Sequence, residues 1–258
     1  MTTLNEPGKS PIANLDYWKS YLEESSLQIP LYLSGKGDGS IYKTIHFRLK
    51  PELQKDAERF TASNNCSTTS LLTALWATLV LRYADQDNIV LFSSVPVVPL
   101  KVTISKETCI TEFITSLVSQ IDEGGKRSLP DIDKLIDLLG SGFKANVQSG
   151  LVAIREAANQ SAPQQFEPYD LLFEFAPEDT SSFRIIFNDR FEEFYVKLMG
   201  EHFMTLLEGV LSNPLASPYS IPITTPAENQ RILYDFNNSD INFNEDITLQ
   251  QLFDYQLE

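Results

Sequence analysis

Residues 66–92, CSTTSLLTALWATLVLRYADQDNIVLF, admit few arrangements. Leu71, Leu72, Leu75, Trp76, Leu79, Val80 and Tyr83 recur at helical spacing, which predicts a long helix. The hydroxyl of Thr68 or Thr69 is placed to cap it by accepting a backbone N–H of the first turn. Its apolar face is wide and Arg82 is its first charge, so the helix must be covered on most sides. Asp85-Gln86-Asp87-Asn88 has the chemistry of a tight turn. Ile89-Val90-Leu91-Phe92 is then a short, wholly apolar run, which reads as a central strand. Periodicity alone makes this stretch a core helix feeding a core strand.

The rest of the chain is read around that pair. Residues 1–13 are polar with Pro7, Gly8 and Pro11 and read as a flexible leader. Residues 14–23 form a short amphipathic helix with Leu15, Trp18 and Leu22 on one face. Residues 25–40 carry Pro30, Gly35, Gly37 and Gly39 and form a loop, and Tyr42–Leu49 alternates as a half-buried strand. Pro51 starts a helix at a position that needs no amide donor, with Leu53, Ala57 and Phe60 inward and Asn64-Asn65 at its end. A second strand spans 97–104. A helix over 111–121 buries Phe113, Leu117, Val118 and Ile121 and stops at Gly124-Gly125; another covers 131–139, closed by Gly140. Strands are expected at 149–154, 169–175 and 183–188. Residues 156–168 are expected as a loop, and 177–182 as the connection of a hairpin. Residues 192–211 form a long helix. From Pro214 to about 226 the Pro-, Ser- and Thr-rich composition reads as a linker, followed by a short helix over 227–234, an Asn/Asp-rich stretch and a further helix from Thr248. Interleaved strands and helices of this kind give an α/β layered domain.

Composition excludes several function classes. The formal charge of −15 on 258 residues argues against nucleic acid and anionic membrane surfaces, which require a basic face. No apolar run reaches membrane-spanning length and the first residues lack the apolar core of a signal peptide, which places the chain in the cytoplasm. Cys66 and Cys109 are the two cysteines; they have no metal spacing and read as buried free thiols.

Chemistry is sparse. His46 sits on a strand, facing away from Ile45 and Phe47. His202 lies near the apolar side of the long helix. Neither has a metal-ligand partner at three or four residues, nor a nucleophile beside it, and both read as structural. Gly35-Lys36-Gly37-Asp38-Gly39 lacks the strand-to-helix setting and the Gly-Lys-Ser/Thr ending of a phosphate loop. Ser141-Gly142 is an isolated turn, and no Gly-x-Ser-x-Gly elbow occurs. Asp170 interrupts an aromatic and aliphatic strand; it either has a defined donor or faces solvent. No catalytic, cofactor-binding or metal-ligating residue is assigned.

The order of short motifs carries more. Leu71, Leu72, Ala74, Leu81, Arg82, Tyr83, Gln86, Asp87, Ile89 and Val90 resemble the "LLxAxxxxLxRYxxQxDIVxG" stretch of nonribosomal peptide synthetase condensation domains. Asp16-Tyr17-Trp18 resembles that family's helix between its two halves. Leu100-Lys101-Val102 resembles its "PLRV" strand, Thr111-Glu112-Phe113 the following helix, and Tyr169-Asp170-Leu171 its "FDL" strand. Phe187-Asn188 through Phe191, then Glu201-His202-Phe203 and Leu206-Leu207, resemble a "YN…LFD…HF…LL" run. Ser220–Thr224 with Glu228, and Asp235-Phe236-Asn237, resemble the linker into an adenylation domain. Thr248–Phe253 with Gln256 resembles that domain's "TLxxLFxxQ" opening. The resemblance covers nearly the whole chain. It implies a chloramphenicol-acetyltransferase-like two-layer sandwich, one mixed sheet covered by helices, with a condensation-like C-terminal subdomain over 14–213 and the linker and start of an adenylation domain over 214–258.

Two departures bear on activity. The family's His-His-x-x-x-Asp-Gly motif, on the N-terminal half, does not occur: the sequence begins at the joining helix, His46 is followed at four residues by Lys50, and His202 by Leu206. The family also has an excursion between "DIVxG" and "PLRV", with a Gly-Arg turn and a "GxFxN" segment, on the side that helps form the active-site tunnel. Here Phe92 is followed almost at once by Val97. By resemblance the motif's second His handles the acceptor amine, so its absence leaves general-base catalysis without a residue. The expectation is a truncated, non-catalytic condensation-type domain at the N-terminus of a peptide synthetase, a platform for an adenylation domain in cis. The alternatives are a half-enzyme completed in trans by an N-terminal half, or a docking module for a carrier protein. The family implies phosphopantetheine on the carrier and no cofactor on this chain.

Overall fold

The computed structural model describes residues 11–22, 29, 31, 35–94, 97–127, 152–156, 169–176 and 179–235. The helix expected at 131–139, the Ser141-Gly142 turn and the segment from Phe236 onward lie outside them. The chain divides into two compact units, residues 1–223 and 224–258.

The first unit is built on a six-stranded mixed sheet. Its strands are β1 (Tyr42–Arg48), β2 (Asn88–Ser94), β3 (Val97–Thr103), β4 (Val152–Glu156), β5 (Leu171–Ala176) and β6 (Asp179–Asn188), in the spatial order β1-β6-β5-β4-β2-β3. β2, β4 and β5 run parallel to their neighbours among themselves, while β1, β6 and β3 pair antiparallel. The helices are α1 (Pro11–Leu22), α2 (Pro51–Asn64), α3 (Thr68–Ala84), α4 (Ile110–Gly125) and α5 (Glu193–Ser212). Register puts Ile45, Ile185, Phe173 and Ile154 in one row across the sheet, so their side chains share a face. α3 and α5 lie on that face. Trp76 of α3 stacks on Phe173 with ring centroids 4.8 Å apart, and Phe203 of α5 meets Phe173 and Phe183 at 4.8 and 4.9 Å. Offset aromatic contacts of this kind add to the area they bury.

Every residue from Leu71 to Leu81 is buried, which is the coverage the sequence demanded. The cap is Ser67, whose Oγ accepts the Ser70 N–H at 3.0 Å, not Thr68 or Thr69. A cap needs extended backbone; Ser67 has it at φ −86° and ψ 155°, while Thr68 is already helical. Asp85 ends the helix in the left-handed region at φ 50°, a conformation that short polar side chains tolerate. β2 is an interior strand, as expected, and β3 is an edge.

Several boundaries move. α1 begins at Pro11, inside the stretch 1–13 expected as a leader, since proline is tolerated in the first turn of a helix. α4 runs through Gly124-Gly125, because Gly124 is a packing position: a Cβ there would overlap Val98 and meet Trp18 at 3.3 Å. β4 runs to Glu156, one residue into the expected loop. β6 begins at Asp179; Ala176 pairs with Asp179 beyond an irregularity at Phe175/Ala176, so the polar residues 179–182 extend the ladder.

The two sheet edges are finished differently. On β3 the Gln120 carboxamide of α4 accepts from the Lys101 N–H at 2.8 Å and donates to the Lys101 carbonyl at 3.1 Å. Tyr21 of α1 donates to Gln120 Oε1 at 2.6 Å, and Lys101 Nζ lies 5.6 Å from the Tyr21 ring centroid. Burial pushes the Tyr21 phenol above its ordinary pKa. Two side chains thus occupy the outward backbone groups of Lys101, at the middle of the edge. The aromatic face of α1 belongs to this seal: Trp18 is buried and Arg127 lies over the Tyr17 ring at 4.0 Å.

In the second unit, a short helix α6 (Pro226–Gln230) passes into a π-helical turn over Arg231–Asp235. Thr225 and Glu228 close a reciprocal capping box at its start, so the helix expected at 227–234 begins one residue earlier and changes pitch midway.

Candidate functional site

Each of the histidines, cysteines and loop glycines singled out in the sequence lies among the described residues. His46 is exposed on β1. His202 is buried on α5 with Nδ1 2.7 Å from the Tyr83 hydroxyl of α3; the pair ties two core helices together. Among the described residues there is no cluster of three or more metal-ligating side chains.

Asp170 has the donors that a half-buried carboxylate requires. Its Oδ1 accepts from Asn188 Nδ2 at 2.6 Å and from Arg190 Nη1 at 3.0 Å, and its carbonyl accepts from the Asn188 N–H at 3.0 Å. The turn after β6 continues this network toward the glycine-rich loop. Gly35 N–H donates to the Arg190 carbonyl at 2.9 Å, Gly37 N–H to the Asp189 carbonyl at 3.2 Å, and Gly39 N–H to Asp189 Oδ1 at 2.8 Å. A Cβ on Gly35 would overlap the Asp189–Arg190 backbone, and one on Gly37 the Asp189 carboxylate. The glycine-rich loop is a buckle holding the start of β1 to the end of β6. The N–H groups of its three glycines are all paired, which holds the loop in place.

One cleft of about 450 Å³ lies between the end of α2, the start of α3 and the first turns of α4. Asn64, Asn65, Cys66, Ser70, Thr111 and Val118 are among its lining residues. No charged side chain lines it, and burial pushes the Cys66 thiol up. A thiol with less thiolate at neutral pH, and no base beside it, is a poor nucleophile. Both cysteines are free, as expected, but each is only partly buried.

The residues from Pro214, expected as a linker, hold onto the first unit as far as Ile221. Ser217 Oγ donates to the Ser105 carbonyl at 2.8 Å. The Arg82 guanidinium donates to the Ile221 carbonyl and lies 6.0 Å from the Tyr219 ring centroid. Burial lowers the pKa of Arg82, with Tyr219 opposing. The Ile221 side chain fills the space left by the missing Cβ of Gly209 on α5. This strap corrects the linker reading over 214–223: its composition is that of a linker, but Tyr219 and Ile221 are anchors. The signal of it in the sequence is the alternation of Tyr219, Ile221 and Ile223 within a Pro/Ser run, all three of which pack on the core.

Similarity to known proteins follows the same outline. No family model matches the chain. A linear gramicidin synthase of Brevibacillus parabrevis is 20% identical over 285 residues, covering 94% of this chain and 5% of that protein; the chain therefore spans a small part of the relatives it matches. Among solved structures, a four-domain nonribosomal peptide synthetase superposes with a TM-score of 0.69 at 11% identity, over 87% of this chain and 21% of the other. The first condensation domain of the calcium-dependent antibiotic synthetase gives 0.61 at 15% identity, over 83% of this chain and 54% of the other. The X-domain in complex with OxyB, from teicoplanin biosynthesis, gives 0.63 at 14% identity, over 83% and 55%. The chain has the chloramphenicol-acetyltransferase-like fold of part of a condensation domain, and its sequence relatives are peptide synthetases.

Proposed function

We propose that this chain is a truncated, non-catalytic condensation-type unit on the N-terminal side of a nonribosomal peptide synthetase, acting in the cytoplasm as a platform for an adenylation domain that follows in cis. The observation that carries the proposal is the connection between β2 and β3. Ser94 pairs directly with Val97, so the strand matching "DIVxG" turns straight into the strand matching "PLRV". The excursion that helps form the family's active-site tunnel has no room there. The histidines support the same reading, since His46 faces solvent and His202 is engaged with Tyr83. The strap supports the platform role: it pins the chain up to Ile221 on the first unit before residues 224–258, which resemble the approach to an adenylation domain. A carrier protein bearing phosphopantetheine would be a further component of the assembly, with no cofactor held on this chain.

The test has two arms. The reading frame beyond Glu258 is expected to encode adenylation motifs, and the frame before Met1 no His-His-x-x-x-Asp-Gly half; a stop codon after Glu258, or such a half before Met1, removes the proposal. The chain mixed with carrier-bound donor and acceptor aminoacyl thioesters is expected to give no amide product, and amide formed above the uncatalysed rate counts against it.

A second reading, a recruitment module, is supported by the X-domain similarity, since that domain is seen in complex with OxyB. Titration with phosphopantetheinylated carrier protein separates the two: a saturable shift favours recruitment, and its absence favours the platform.

A further inference from the structure

We propose that the open edge of β1 is a docking strand for an extended acidic peptide segment of a partner protein, received by β-augmentation. The Leu49 N–H donates to the Ser181 carbonyl at 2.8 Å. Antiparallel pairs alternate between hydrogen-bonded and non-hydrogen-bonded partners. With the register Arg48↔Ser182 and Phe47↔Phe183, residues 43, 45 and 47 therefore spend their backbone groups on β6. Thr44, His46 and Arg48 aim theirs away from the sheet. β1 is the last strand on this side, and all three residues are exposed. None of these outward groups has a partner among the described residues.

The other edge shows what closure looks like in this fold. β3 carries Pro99 and is closed by Gln120 and Tyr21 at Lys101. β1 has neither proline nor glycine, its ladder to β6 is unbroken over all seven residues, and no side chain is bonded to its edge among the described residues. It is long enough to accept a partner strand.

Charge selects the partner. Residues 40–51 hold Lys43, His46, Arg48 and Lys50 and no acidic residue, on a chain of net charge −15. Lys43 reaches Glu193 at 3.6 Å in an exposed pair; Arg48 and Lys50 have no ion-pair partner among the described residues. Opposite charges directly across a ladder stabilise it and like charges oppose it. An acidic strand is therefore favoured. A second copy of β1 would bring two sets of these cations together and is disfavoured.

The test uses the 258-residue chain and a fluorescein-labelled nonapeptide of alternating glutamate and threonine, followed by anisotropy at low salt. Saturable binding below about 1 mM is expected, weakened at high salt, with none for the alternating lysine and threonine peptide. Arg48→Glu is expected to weaken binding about tenfold. Thr44→Pro removes one outward N–H while leaving the bonds to β6 in place, and is expected to weaken it about tenfold or more. Circular dichroism checks that each variant folds, and Lys50→Glu serves if Thr44→Pro does not. The proposal is overturned by no binding of the acidic peptide, by equal binding of both peptides, by Arg48→Glu or Lys50→Glu binding like the parent, or by a folded Thr44→Pro that binds like the parent. It is also overturned by a concentration-dependent dimer that Arg48→Glu changes, which would make a second copy the occupant.

Discussion

Replacing Gly209 by alanine sets two known effects against each other. Gly209 lies within α5, four residues before Asn213, whose N–H it accepts at 3.0 Å. Alanine in a helix interior is favoured over glycine by about 0.5–1 kcal/mol. At this position, however, the added Cβ overlaps the Ile221 Cγ2 methyl. Ile221 is only 7% exposed and its carbonyl is held by Arg82, so the side chain cannot yield without moving the strap. Overpacking of this kind costs about 1–3 kcal/mol. The expected balance for Gly209→Ala is a net loss of about 1 kcal/mol. Ile221→Ala removes the obstructing methyl, at its own cavity cost, and in that background Gly209→Ala is expected to stabilise by about 0.5–1 kcal/mol. Urea unfolding followed by tryptophan fluorescence of the four members of the cycle measures the change of sign, with Trp18 and Trp76 both buried reporters. If Gly209→Ala stabilises equally in both backgrounds, Ile221 is not seated on α5 and the strap argument fails.

Three further outcomes rest on separate features. Phe173→Ala opens a hole among Trp76, Phe183 and Phe203 and is expected to cost about 3–5 kcal/mol in chemical denaturation; a loss under about 1 kcal/mol would mean the cluster is not the packing centre. Gln120→Ala strips the Lys101 carbonyl of its side-chain partner and leaves the Lys101 N–H only the Tyr21 hydroxyl at 3.4 Å; it is expected to cost about 1–3 kcal/mol, with faster amide exchange at Lys101, and unchanged exchange would show that Gln120 is not what protects the edge. The raised Tyr21 pKa means its contribution to stability is whole below the ordinary tyrosine pKa and is lost as pH rises through the higher folded value. Tyr21→Phe should therefore flatten the alkaline limb of the stability profile, and an unchanged limb would remove Tyr21 from the account.

Local signals were readable and long-range closures were not. α3 was legible because its apolar run is continuous, and only its cap shifted by one residue, which backbone conformation rather than residue type decides. The need of Asp170 for a donor was visible, since a carboxylate within an apolar strand poses that question. Its donors, Asn188 and Arg190, were not, being 18 and 20 residues away across a hairpin. Gly35, Gly37 and Gly39 announced a loop, but what requires their lack of a side chain is Asp189 and Arg190, some 150 residues on. The strap was misread because Pro and Ser composition describes a solvated chain equally well whether or not two apolar residues pin it down.

The position of β1 in the sheet has a consequence for synthesis. β2 and β3 are neighbours in the chain and meet as soon as both have been made, whereas β1 pairs only with β6. About 130 residues separate Arg48 from Asp179, so at ribosomal speeds of about 5–20 residues per second β1 waits on the order of ten seconds for its partner. During that interval both of its edges are unpaired and Ile45 and Phe47 have no sheet neighbour. A nascent chain stalled before Asp179 would present this strand to chaperones, and the sheet is completed only when the sixth strand closes against the first.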